Sequence, residues 1–139
     1  MPPTVPSGYS GTPLAKKLGI KEGACVCLLG APEHYRELVA PLPPGVRFVT
    51  KPGMEAVLVH LFTKEKAELA GHLHAILASM PRDGAIWVSW PKKASKVATD
   101  ITEDTIRAVA LPMGLVDVKV CAVDEVWSGL KLVIRKTGR

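Results

Sequence analysis

The chain has 139 residues, 47 % of them hydrophobic, and a formal net charge of +5. That suits one domain with a core of its own. The basic surplus lies in the first third and the last stretch, without the dense stripe, interleaved aromatics or named motif of a nucleic-acid reader, so nucleic acid is not an expected partner.

Met1 to Gly8 lacks the charged and apolar regions of a signal peptide, and residues 1–11 read as a flexible tail ahead of a single α/β domain over residues 12–139. No apolar run reaches membrane-spanning length, so no membrane is expected. Thr12-Pro13 predicts a helix start, with Thr12 as cap and Pro13 at the first helical position, and Gly19 ends that helix. Ala24 to Leu29 is an unbroken apolar run, the mark of a strand covered on both faces. Cys25 and Cys27 stand two apart on it and so share one face. The three cysteines lack metal-ligand spacing; free thiols suit a reducing cytosol, and no metal is expected.

Glu33 to Ala40 has room for two helical turns, and a proline-rich connector leads to a short strand over Val46 to Thr50. Ala56 to Phe62 is a third strand. After Thr63 the period changes: Leu69, Leu73, Ile76, Leu77 and Met80 recur at helical spacing, which predicts the longest helix of the chain. Asp83-Gly84 turns into a strand over Ala85 to Trp90, and a polar loop follows from Pro91 to Thr99. Thr102-Glu103-Asp104 opens a helix whose buried side is Ile106, Val109 and Ala110. Val116 to Val123 and Gly129 to Arg135 are strands joined so tightly that they must pair antiparallel. The alternation predicts an α/β fold: a three-layer, Rossmann-like open sheet, mostly parallel, with helices on both faces and a C-terminal antiparallel β-hairpin as its edge.

In such sheets ligands sit beyond the carboxyl ends of the strands. Those ends carry Gly30, Lys64 and the run Trp90-Pro91-Lys92-Lys93. Trp90, Lys92, Lys93, Lys64 and Gly30 therefore form the candidate ligand site: the ammonium groups supply charge for a small anion and the indole a stacking face. Asp124, Glu125 and Trp127 crowd the final turn and are the candidate surface for a protein partner, although hairpin turns are commonly built from such residues. A homodimer is compatible with a chain this short and apolar. His60, on a central strand near Thr63 and Lys64, reads first as a hydrogen-bonded core histidine and second as an acid or base. Ser89 lacks the glycine elbow of a hydrolase nucleophile. No catalytic residue is assigned.

The layout is similar to the second half of a class I methyltransferase domain, and Pro81-Arg82-Asp83-Gly84-Ala85-Ile86-Trp87-Val88 resembles that family's strand after its proline-x-glycine-glycine turn. A closer resemblance is to a bacterial domain-of-unknown-function family of short, uncharacterised proteins. It is carried by Tyr9 to Ile20, by Trp87-Val88-Ser89-Trp90-Pro91-Lys92-Lys93 and by Leu115 to Lys131, and it implies no known activity. The methyltransferase resemblance implies S-adenosylmethionine, held by several glycines after the first strand and by an acid that binds the ribose after the second. This chain has Leu29-Gly30-Ala31-Pro32 at the first place and Thr50-Lys51 at the second. No cofactor is therefore expected. The leading reading is a non-catalytic module for a small anionic ligand or a protein partner. The alternatives are a divergent transferase using S-adenosylmethionine or a nucleotide, and a structural subunit of a larger complex.

Overall fold

The computed structural model describes residues 12–138; the expected tail over residues 1–11 lies outside them. The apolar runs form six strands: β1 (Cys25–Leu29), β2 (Arg47–Val49), β3 (Ala56–Phe62), β4 (Ala85–Pro91), β5 (Leu115–Ala122) and β6 (Trp127–Ile134). They join one sheet in the order β2-β1-β3-β4-β6-β5. β1 to β4 are parallel to one another, and β6 is antiparallel to both β4 and β5. The helices are α1 (Leu14–Leu18), α2 (Tyr35–Leu38), α3 (Lys66–Ser79) and α4 (Glu103–Ala110).

Period-two alternation in the strands divides the core into two layers. On one face Cys25, Cys27, Val59, Leu61, Ile86 and Val88 pack against Leu69, Leu73 and Ile76 of α3 and Ile106 of α4. On the other, Val26, Leu58, Phe62 and Trp87 pack against Ala15 and Leu18 of α1 and Tyr35 of α2. Leu69, Leu73 and Ile76 are fully buried. Each such side chain contributes about 1.5–3 kcal/mol of transfer free energy, which is why α3 outweighs its unremarkable capping. This is the α/β, mostly parallel, three-layer sheet expected from the alternation of strands and helices.

Two local expectations differ. Pro13 occupies the N-cap position of α1, with ψ 143°, and no side chain caps that helix, so Thr12 does not act there. α2 is one turn, not two. The last hairpin forms the antiparallel edge as expected, with β6 beside β4 and β5 outermost. The cause is burial. β6 buries Leu130, Leu132 and Ile134, whereas Asp117, Val118, Lys119 and Val120 of β5 are exposed, the charged pattern that suits an edge strand. Thr102, by contrast, caps α4 as its position predicts, its hydroxyl accepting from the Thr105 amide at 3.2 Å in a reciprocal pair.

Candidate functional site

Because β1, β3 and β4 are parallel, their carboxyl ends share one rim of the sheet. A cleft of 340 Å³ opens there. The end of β1 contributes Gly30 and Pro32; the end of β3 contributes Phe62, Thr63 and Lys64; the start of α3 contributes Glu65 and Glu68; and Trp127 arrives from β6. Phe62 and Trp127 meet edge to face, with ring centroids 5.0 Å apart. Thr63 is buried, and its Oγ1 is a buried side-chain polar atom with no hydrogen-bond partner among the described residues. Leaving a buried hydroxyl without a partner costs about 1–3 kcal/mol.

Gly30 holds the two strand ends together. Its φ is +70°, and a Cβ built there would lie 2.7 Å from the Phe62 carbonyl oxygen. Gly30→Ala therefore combines left-handed strain with a clash against backbone, and a loss of roughly 2 kcal/mol is expected in urea denaturation. A change within a few tenths of a kcal/mol would show that the approach of β1 to β3 is looser than this contact requires.

Beneath the cleft lies a buried polar chain. His60 is fully buried, its Nδ1 hydrogen-bonded to Tyr35 Oη at 2.8 Å and its Nε2 to Ser89 Oγ at 2.7 Å. The imidazole stacks on Phe62 at 4.3 Å. Burial pushes the His60 pKa down to about 3, so the ring is neutral at pH 7, one nitrogen donating and the other accepting. Burial likewise pushes the Tyr35 phenol up. His60 is thus the satisfied core histidine of its first reading.

The candidate residues from the sequence divide between two places. Gly30 and Lys64 line the cleft, and Trp127, expected to face a partner, lines it with them. Trp90 is 8 % exposed and packs in the core layer of α3 and α4, so its indole has no free stacking face. Lys92 and Lys93 are not among the lining residues; Lys92 donates its amide to Val126 O at 2.7 Å, and Ser95 Oγ donates to Lys92 O at 2.6 Å. Thr99 Oγ1 donates to Lys64 O at 2.6 Å, and Asp100 Oδ1 accepts the Lys66 amide at 2.7 Å. These backbone, hydroxyl and carboxylate groups hold the loop together and tie it to the start of α3. Asp124 builds the hairpin turn, its Oδ1 accepting from the amides of Val126 and Trp127 and its Oδ2 bonded to His34 at 3.3 Å. Glu125 is exposed beside it. Glu65 and Glu68 had no signal in the sequence beyond their place after a strand end.

The strand order, the rim and the closing hairpin together define the fold. It is a methyltransferase-like Rossmann fold. The chain is similar to a protein assigned to the type 11 methyltransferases from Sulfolobus solfataricus, with a TM-score of 0.57 and 11 % identity over 88 % of this chain and 90 % of that one. It is also similar to TrmN from Thermus thermophilus, at 0.56 and 12 % over 87 % and 47 %, and to LepI in complex with SAM, at 0.54 and 14 % over 88 % and 39 %. The chain thus spans less than half the length of the latter two. No family model and no curated protein matches the chain, so the resemblance to a family of short bacterial proteins finds no support there.

Two contacts that the methyltransferase resemblance implies for S-adenosylmethionine are not supplied by the residues at the matching places. β2 is followed by Thr50-Lys51, both exposed, where the resemblance would place a carboxylate for the ribose hydroxyls. The space that the single glycine leaves open is filled by the Phe62 carbonyl. No methyl-transfer step follows from this geometry.

Proposed function

We propose that the chain is a small-molecule-binding module whose site is the rim cleft, and that its role there is binding without chemistry on the ligand. The observation that carries this reading is the convergence of two aromatic rings, a buried unpartnered hydroxyl and three ionisable side chains on one cleft at the carboxyl ends of parallel strands. The most versatile acid–base group nearby, His60, is sealed beneath Phe62 and held neutral.

The charges decide what kind of ligand suits it. Lys64 stands against Glu65 and Glu68, and Asp100 already occupies an amide at the α3 N-terminus. The balance favours a ligand that carries a cationic group, alone or with a carboxylate, and an apolar part against Phe62 and Trp127. This differs from the small anion suggested by Lys92 and Lys93, because those two ammonium groups belong to the neighbouring loop.

Calorimetry on the full chain with S-adenosylmethionine, S-adenosylhomocysteine, arginine, ATP and inorganic phosphate tests this. The expected result is binding of at least one of the first three, weakened about tenfold or more by Trp127→Ala, which removes an aromatic wall. Heat from S-adenosylmethionine together with methylation of any acceptor would favour the transferase alternative. Unchanged affinity in Trp127→Ala, or binding of anions alone, would remove the cleft as the site.

A further inference from the structure

A second surface, on the opposite side of β6 from α3 and α4, gathers positive charge from three separate parts of the chain. Lys119 of β5 and Lys131 of β6 are direct partners in the antiparallel register. Like charges placed opposite one another in a sheet repel. Lys131 is half-buried, and its Nζ would lie 3.9 Å from a Cβ at Gly19, the residue that caps the C-terminus of α1. Lys119 extends over the buried Trp87 ring, with its Nζ 6.0 Å from the centroid. Lys21, two residues after that cap, is close enough to act electrostatically on Lys131.

Among the described residues no carboxylate forms an ion pair with Lys21, Lys119 or Lys131; the ion pairs of β5 and α4 run through Asp117 and Arg107. Burial, then Lys119 and Lys21, lower the Lys131 pKa, the physical signature of a cation short of counter-charge. Lys17 and Lys119 also act on the thiol of Cys121, the next residue inward on the same face of β5. Lys119 and Lys131 are adjacent in one sheet, and Lys21 adds its charge to the field at Lys131.

The geometry points to this face as a binding site for one multiply charged phosphate group, of the diphosphate or triphosphate kind, gripped by Lys131 and Lys119 beside the end of α1. Two lysines paired across one register, with Lys21 adding to the field there, suit a compact, high charge density. Point-charge lysines without an arginine fork impose little direction, so the charge of the ligand matters more than its attached group. The site is separate from the rim cleft, and neither depends on the other.

The test uses Lys131→Met, which keeps the stem volume and deletes the charge. Thermal melts of the full chain are recorded at low ionic strength with inorganic triphosphate, ATP and monophosphate. Triphosphate is expected to raise the melting temperature of the parent protein clearly more than monophosphate does, and the rise should shrink with added salt. In Lys131→Met the ligand-free protein melts at the same or a higher temperature, since repulsion is relieved, while the triphosphate shift is lost. A Lys92→Met, Lys93→Met double variant keeps the full shift. An equal effect of triphosphate and ATP identifies the phosphate chain as the recognised part; a shift from ATP alone contradicts the proposal. It also fails if Lys131→Met responds to triphosphate as the parent does, or if the loop double variant is the one that loses the response.

Discussion

Between pH 6.5 and pH 4 the folded protein is expected to lose about 3 kcal/mol of stability through His60 alone. The imidazole titrates near 6.5 when the chain is unfolded and near 3 in the folded core, where burial disfavours the cation. In that window the unfolded chain binds a proton that the native state refuses, so stability falls as the pH falls. The loss begins at the unfolded value, runs at up to 1.36 kcal/mol per pH unit, and levels off only near the folded value. Urea denaturation at pH 7, 5.5 and 4 measures it. His60→Gln keeps hydrogen-bonding capacity toward Tyr35 and Ser89 but cannot titrate, so its stability is lower at pH 7 and nearly flat over the same range. Equal slopes for the two proteins would remove His60 as the source. The Arg107–Asp117 pair acts in a different window. Arg107 holds the Asp117 carboxyl below its ordinary 3.8, so that contribution is present above 3.8 and goes only as the pH falls further.

Trp87→Ala is expected to cost about 3–5 kcal/mol, enough to leave much of the protein unfolded at 37 °C. The indole is fully buried at the centre of the layer shared by α1 and α2. Its Nε1 donates to Leu18 O at 2.9 Å, which ties the end of α1 to the middle of the sheet. Gly129 on β6 makes room for it, since a Cβ there would lie 3.1 Å from Trp87 Cε3 and 3.3 Å from Ser89 Oγ. The substitution therefore removes a large buried surface and strands a carbonyl acceptor. Trp87→Phe separates the two terms: it keeps most of the apolar contact and loses the hydrogen bond, and about 1–2 kcal/mol is expected. If both variants lost the same small amount, α1 would be anchored by Leu18 and Ala15 and not through the indole.

Both effects arise on the α1 and α2 face, and so does the lysine cluster. That face is thinner in helix than the other. α1 and α2 are five and four residues long, against fourteen and eight for α3 and α4. Single large side chains carry a correspondingly greater share of its packing, which is why one tryptophan and one histidine dominate the expected responses.

Much of the architecture follows from local pattern. The unbroken apolar runs at residues 25–29 and 56–62 need cover on both faces, and the helical spacing of Leu69, Leu73 and Ile76 supplies one of the two covers. Gly19 and Thr102 mark helix ends because a left-handed cap and a hydroxyl cap are demands of single residues. The place of Gly30 and Lys64 on the rim was legible for the same reason, since a strand end in a parallel sheet is a local fact with a known spatial meaning. Tertiary structure alone decided the rest. The insertion of β6 beside β4 carries Trp127 to the cleft, and no spacing along the chain encodes that neighbour. Trp90 turns into the core because its strand alternates about a face whose identity is set by α3 and α4. The Tyr35–His60–Ser89 chain and the Lys119–Lys131 pair join residues far apart in sequence, and both exist only once strand order and register are fixed.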